Sequence, residues 1–249
     1  MPRCQSTQPP YADGPDWRRT IDALPEVVAI VAAHDEADRI GATIEGLREA
    51  FGGVRVIVAD DGSSDGTGSL ARAAGAELVR SERVIGKGAA MTAAARAALA
   101  GAAPGTARMF VLCDGDLAES AARLGPLTVP VSDGRADVAV AVFARRLGGG
   151  AGVALAFARF AIERRCGLRT RAPISGQRAL SEAALRDVLP FADGYGMEIG
   201  MTVDAVRAGH GVDEVVLDLT HRASGRTPAG FAHRARQLVD FVRVFLARR

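Results

Sequence analysis

No apolar run in this chain approaches the ~20 residues needed to span a bilayer; the longest near the start, Val27 to Ala33, has the length of a buried strand. Cysteine is scarce. Cys4, Cys113 and Cys166 are odd in number, far apart and at no metal-binding spacing, which excludes a disulfide framework and a zinc site. That usage fits a reducing cytoplasm, with Cys113 as a small buried hydrophobe. Neither charge dominates: 31 basic against 29 acidic residues leave +2, too balanced for nucleic acid to be the main partner. Residues 1–24 carry Pro2, Pro9, Pro10 and Pro15 without an apolar h-region, so they read as a flexible leader rather than a signal peptide. There is no internal repeat. The first loop lacks Gly-x-Gly-x-x-Gly, and no Gly-x-x-x-x-Gly-Lys-Ser/Thr occurs, so dinucleotide and P-loop readings fail.

What is present is a regular alternation. With 48% hydrophobic residues in 249, the chain can bury a substantial core. Glu26–Ala33 reads as a buried strand, followed by a helix whose apolar face is Ile40, Ile44, Leu47 and Phe51, stopped by Gly52-Gly53. A strand over 54–59 and a helix over about 66–74, with Asp65 or Ser64 at its start, come next. A short strand at 76–79 and an Ala-rich helix from Gly86 to Gly101 precede a buried strand at 108–113. A helical piece covers about 119–124, and a strand spans 137–143. This alternation predicts an α/β sheet, mostly parallel in the first half. Later come a Gly-rich loop at 147–152, a helix at 153–165, an edge strand within 174–180, and a helix capped by Ser181. A helix from Glu198 to Gly209, a strand at 212–219 and a basic helix from Thr227 complete the chain.

Three acidic clusters each follow a strand of the first half: Asp35 and Glu36, Asp60 and Asp61, Asp114 and Asp116. Parallel strands put their carboxyl ends on one edge, so the clusters should converge. Asp114 and Asp116, read as extended chain, point the same way; roughly 6 Å apart, they repel by about 3 kcal/mol at an effective dielectric of about 20. A divalent cation removes that repulsion, and hard oxygen ligands suit Mg²⁺ or Mn²⁺. Gly86-Lys87-Gly88 adds a cation at a helix start, where an anion is favoured.

The segments Val28 to Glu36, Val56 to Thr67, Gly86 to Gly88 and Asp114 to Asp116 resemble, in order and spacing, the nucleotide-sugar-binding half of family 2-like glycosyltransferases. Asp60-Asp61-Gly62-Ser63-Ser64-Asp65-Gly66-Thr67 is the most specific part; Ala32 and Asp35 stand where the family usually has Pro and Asn. The resemblance implies the GT-A fold, a Rossmann-like, mostly parallel nucleotide-binding sheet flanked by helices. It places Glu36 and Asp61 against the nucleoside, Lys87 near uracil or diphosphate, Asp114 by ribose and metal, and Asp116 on the metal. Ala33, Asp35, Asp60 and Gly115 complete the donor-side set.

In the second half, Gly167-Leu168-Arg169-Thr170, Gly194 to Gly200 and Thr220-His221-Arg222 resemble segments of glucosyl-3-phosphoglycerate synthases. By that resemblance Arg169 and Thr170 hold the acceptor phosphate, Tyr195, Gly196, Met197 and Glu198 touch the donor sugar, His221 completes the metal shell, and Arg222 joins the substrate-binding set. His34, His210 and His233 read as surface residues. Glu198 is the candidate base of an inverting reaction or the positioner of the sugar in a retaining one; Glu198 and Asp116 are thus the catalytic candidates.

The expectation is a single domain over 25–249. Its nucleotide-sugar half covers about 26–145, its acceptor half about 146–226, and its basic helix 227–249. It would transfer a sugar from a nucleotide sugar such as UDP-glucose to a small phosphorylated acceptor such as 3-phosphoglycerate, in the cytoplasm and with Mg²⁺ or Mn²⁺. A polyprenyl-phosphate sugar transferase is the alternative. Rivals of other classes are a sugar nucleotidyltransferase, whose Gly-rich, Arg-containing loop is absent, and a non-catalytic nucleotide-sugar-binding protein. Phe231, Ala235, Leu238, Val242 and Phe245 form an apolar stripe on the last helix, flanked by arginines. That stripe would pack on the core, join a homodimer, or meet a membrane surface and a lipid-phosphate acceptor.

Overall fold

The computed structural model describes residues 26–101, 108–144, 152–220 and 228–248, with the side chains of the last segment described from residue 237. The expected leader, most of the Gly-rich loop at 147–152, and His221, Arg222 and the His233 side chain lie outside the described residues. The strands are β1 (Glu26–Ala33), β2 (Arg55–Asp60), β3 (Glu77–Arg80), β4 (Arg108–Asp114), β5 (Val138–Phe143), β6 (Arg178–Ser181) and β7 (Val212–Leu217). The helices are α1 (Ile40–Phe51), α2 (Thr67–Ala73), α3 (Lys87–Ala100), α4 (Val129–Ser132), α5 (Gly152–Cys166), α6 (Glu182–Asp187), α7 (Met197–Arg207) and α8 (Pro228–Ala247).

All seven strands form one sheet in the order β3-β2-β1-β4-β6-β5-β7. β1 pairs in parallel with β2 and β4, β2 with β3, and β5 with β7; β6 runs antiparallel to both β4 and β5. Every strand except β6 therefore points the same way, and the ends Ala33, Asp60, Asp114 and Leu217 share one edge. The expected edge strand is a correction: β6 lies inside the sheet. Its Arg178-Ala-Leu-Ser run is short because it only bridges two longer strands, and short length mimics an edge in sequence.

Strand alternation splits the core. Ala29 and Val31 of β1 face one apolar cluster with Ile40, Ile44, Leu47 and Phe51 of α1, the stripe read from sequence. Val28 and Ile30 face the other, with Ala90, Met91, Ala94, Ala95 and Ala98 of α3 and Met197 and Met201 of α7. At about 1.5–3 kcal/mol per large apolar side chain, burial on both faces explains strands that read as unbroken apolar runs. The small alanines of α3 let it lie close to the sheet, which brings its first residue, Lys87, to the carboxyl edge.

A third cluster joins α5, α7 and α8 through Ile162, Ile199, Val203, Phe241 and Val244. Here the apolar stripe expected on the last helix shifts. Phe241 and Val244 are buried, while Val242 is exposed. The helix is rotated so that Val244 meets Gly196 and Arg248 pairs with Asp204 of α7. Among the described residues no helix is long and apolar enough to cross a membrane.

Candidate active site

The carboxyl edge gathers the acidic clusters of the first half. β4 ends at Asp114, and Gly115-Asp116 already turns, so the extended-chain argument for the pair does not apply. The turn is instead held from outside. The Gly115 N–H donates to the Ala32 carbonyl (2.8 Å), the Gly115 carbonyl accepts from Thr43 (2.7 Å), and the Asp116 carbonyl accepts from Arg39 (3.3 Å).

Lys87 is the centre of the arrangement, and it is the only lysine in the chain. Its ammonium donates to Asp114 Oδ1 at 2.6 Å and to Glu198 Oε1 at 2.7 Å. Burial favours the neutral amine, but the two carboxylates outweigh it and hold the Lys87 pKa above the ordinary lysine range. A compact ammonium with three donors can serve two carboxylates and still face a ligand, whereas the planar guanidinium used everywhere else in this chain could not pivot so. Burial also pushes the Cys113 thiol up, so this neighbour stays an inert apolar group.

Lys87 is placed by Asp61. Both Asp61 oxygens accept from backbone amides at the start of α3, Ile85 N–H at 2.7 Å and Gly86 N–H at 3.0 Å. Asp60 is fully buried, accepts from Ser63 N–H (2.9 Å) and lies 3.4 Å from Arg80. Asp35 adopts φ 53°, a left-handed conformation that Asp tolerates better than most residues, and its carboxylate accepts from Ser64 N–H (2.8 Å). Glu36 is tied through its backbone N–H to Thr67 Oγ1 (2.8 Å), and Ala33 is buried at the end of β1. Asp65 caps from one residue further out than expected: Gly66 is the capping position, and Asp65 accepts from Thr67 and Ala37.

The second half reaches the same edge from different elements. Glu198 lies in the first turn of α7 and is buried. The turn before it is clamped by α8, whose Asp240 accepts from Tyr195 N–H (3.2 Å), and a Cβ on Gly196 would sit 2.1 Å from Val244, so α8 can pack there only against glycine. Met197 is buried in the core cluster beneath. Thr170 donates to Glu214 (2.5 Å), which also accepts from Arg171 and Ala172 amides. The Arg169 side chain is 86% exposed and pairs with Glu163, so the structure does not bring it to the Lys87 cluster. His210, expected on the surface, is only 12% exposed and is held by Asp187 at 2.9 Å.

Sequence reading passed over Gln177, Arg178, Glu214 and Asp240. Because β6 runs backwards, its start meets the end of β4, and Gln177 donates to Asp114 Oδ2 at 2.8 Å. A Cβ on Gly176 would lie 2.6 Å from that same oxygen, so glycine is required for the approach. The available signals were a lone lysine among thirty arginines and two adjacent acids inside an otherwise apolar strand, Asp213-Glu214.

Among the described residues no group of three His, Cys, Asp or Glu is arranged as a ready-made metal centre. The candidate oxygen donors are the carboxylates of Asp114, at the end of β4, and of Asp116, in the turn after it. Hard oxygens in that number suit a small divalent ion that takes the rest of its shell from water and phosphate.

Comparison with known proteins agrees with this architecture. Residues 28–189 match the sequence profile described as "Glycosyl transferase family 2". A glucosyl-3-phosphoglycerate synthase of Mycolicibacterium paratuberculosis is 31% identical over 198 residues, 72% of this chain; the aligned part is 59% of that relative's length, less than two thirds. The glucosyl-3-phosphoglycerate synthase of Mycobacterium tuberculosis, crystallised with Mn²⁺, uridine diphosphate and phosphoglyceric acid, superposes with a TM-score of 0.74 at 24% identity. That alignment covers 100% of this chain and 86% of the other. A second crystal structure of that enzyme, with Mn²⁺, uridine diphosphate and glucosyl-3-phosphoglycerate, gives 0.71 at 25% identity, covering 100% and 88%.

Proposed function

Because the chain belongs to glycosyl transferase family 2, we propose that it transfers a glucosyl group from UDP-glucose to 3-phosphoglycerate with the help of Mn²⁺ or Mg²⁺. One observation carries the reading: Lys87 binds at once to Asp114, in the nucleotide half, and to Glu198, in the half that would meet the sugar. The similar synthase and the ligands crystallised with it support these substrates.

The residues divide the work by position. Asp61 and the β1 and β2 loops form the nucleoside side, with Asp61 setting the entry to α3. Lys87 and the first turn of α3 bring positive charge to the diphosphate as the glycosidic bond breaks. Asp114 accepts from Lys87 and Gln177, and Asp116 is the member of the pair that the family resemblance assigns to the cation. Bound there, the cation would supply Lewis-acid stabilisation of the departing diphosphate. Glu198, buried and held by Lys87, accepts from a sugar hydroxyl and fixes the ring relative to the acceptor. The Thr170 segment, clamped by Glu214, forms the acceptor side.

The test is a donor-by-acceptor screen of the purified protein. UDP-glucose, GDP-glucose and GDP-mannose are each offered with 3-phosphoglycerate or a polyprenyl phosphate, with Mn²⁺ or with EDTA. Glucosyl-3-phosphoglycerate and UDP should form from UDP-glucose and 3-phosphoglycerate, and only with metal. Release of pyrophosphate would reassign the chain to nucleotidyl transfer, and transfer to the lipid phosphate would change the acceptor. Saturable donor binding without turnover would leave a binding protein.

A further inference from the structure

Arg178 is fully buried at the start of β6, and none of the roles above uses it. It pairs in register with Leu112 of β4 and Val140 of β5, and Val140 pairs with Glu214 of β7. Residues in register share a face, so Arg178 and Glu214 lie in one row across the sheet. The guanidinium donates from Nε to the Ser175 carbonyl (2.9 Å) and from Nη1 to Thr202 Oγ1 (2.9 Å). Thr202 in turn donates to the backbone carbonyl of Glu198, also at 2.9 Å. Among the described residues Nη2 has no hydrogen-bond partner.

An arginine here is costly. A position between Leu112 and Val140 would accept leucine or methionine, and exchanging a buried ion for a well-packed apolar group is often neutral or stabilising. The groups that face the guanidinium are what distinguish it. Burial draws the Arg178 pKa down to about 10, while Glu198 and Glu214 act in the opposite sense, so it remains a cation at neutral pH. Glu198 holds Lys87 on one side, and Glu214 holds Thr170, Arg171 and Ala172 on the other.

We infer that Arg178 is a positioning residue that keeps the donor-sugar side and the acceptor side in one geometry. It anchors the Glu198 backbone through Thr202, and the 170–175 segment through Ser175 and through the charge of Glu214. It touches neither substrate. The inference rests on the glycosyl-transfer reading above.

Three variants of the full chain test it: Arg178→Met, Arg178→Lys and Thr202→Val, assayed with UDP-glucose, 3-phosphoglycerate and Mn²⁺. Misplacement of reacting groups by about 1 Å costs on the order of 100-fold in rate. Arg178→Met should therefore lower kcat by about 10- to 100-fold and raise the 3-phosphoglycerate KM by about 10-fold, leaving the UDP-glucose KM within about twofold. Arg178→Lys should recover part of kcat, and Thr202→Val should lower kcat while sparing the acceptor KM. Wild-type kcat and KM in Arg178→Met, whatever its thermal midpoint, would overturn the inference. Should that variant not fold, wild-type kinetics in both Arg178→Lys and Thr202→Val would overturn it equally. Amide hydrogen exchange gives a readout independent of turnover. The Arg171 and Ala172 amides should exchange about 10-fold faster in Arg178→Lys or Arg178→Met than in wild type; unchanged protection contradicts the role. A wild-type protein inactive on every donor would sink the transfer reading, and the exchange comparison would still decide on Arg178.

Discussion

On the side proposed for the nucleotide, β1, β2 and β4 run parallel, and each delivers its acidic residues within a few positions of its end. Asp35, Asp60 and Asp61 accept from backbone amides, of Ser64, of Ser63 and of Ile85 and Gly86, while Asp114, where the two sides meet, is held by the Lys87 and Gln177 side chains. On the other side, the polar groups come from a helix turn (Glu198), a loop (Thr170), a reversed strand (Arg178) and the residue just before it (Gln177), and they are held largely by other side chains. Backbone-held groups follow from topology alone. Side-chain-held groups depend on contacts between residues far apart in sequence, so single substitutions should disturb the second side more locally and more selectively than the first.

The largest effect should come from the residue that joins the sides. Lys87→Met leaves Asp114 and the buried Glu198 without their cation, and kcat/KM should fall about 1,000-fold. Stability should drop by about 2 kcal/mol, less than for a sealed ion pair because the Lys87 side chain is 25% exposed. Urea unfolding and initial rates check both, and a loss under about 10-fold in rate would break the link between the sides. Asp116→Asn comes next: metal-dependent turnover should fall about 100-fold or more with no change in thermal midpoint, since the residue sits half-buried in a turn. Full wild-type activity in EDTA would remove the metal from the account.

A smaller, one-sided effect is expected at α8. Asp240→Ala removes the acceptor for Tyr195 N–H, so the UDP-glucose KM should rise about fivefold with the 3-phosphoglycerate KM unchanged. Equal changes in both would mean that the clamp serves general stability rather than the donor turn. The smallest effect belongs to Asp65, which is fully exposed. Its pKa is lowered to about 2, chiefly by the Thr67 hydroxyl. A lowered carboxylate pKa contributes stability above the ordinary value of about 4 and loses it as pH falls towards the folded value. The thermal-midpoint difference between wild type and Asp65→Ala should be small and level from neutrality to about pH 4, then shrink towards pH 2. A difference that grows on acidification contradicts the capping role.

Much of the nucleotide side is legible in the sequence. The apolar runs of β1, β2 and β4 give the strands, the Ile40–Ile44–Leu47–Phe51 stripe gives α1 and its buried face, and the acids at strand ends give the edge. The direction and place of β6 were not legible. A four-residue strand carries too little pattern to reveal whether it is central, and its reversal is what brings Gln177 to Asp114. Glu214 and Arg178 escaped for a related reason: Glu214 sits in an otherwise apolar strand with partners 42 to 44 residues away, and Arg178, beside the polar Gln177, reaches Thr202 24 residues on. Of the stripe expected on α8, Phe245 packs against the third cluster while Val242 stays exposed, because Phe241 and Val244 turn inward and Arg248 pairs with Asp204.

Whether the two sides form one site through Lys87 is decided by a double-mutant cycle on Lys87→Met and Glu198→Gln, read in kcat/KM. Residues that act as a unit lose most of their function with the first change. The double variant should be slower than the worse single variant by no more than about threefold. Losses that multiply, each substitution costing as much in the presence of the other as alone, would show that Lys87 and Glu198 act separately and would contradict it.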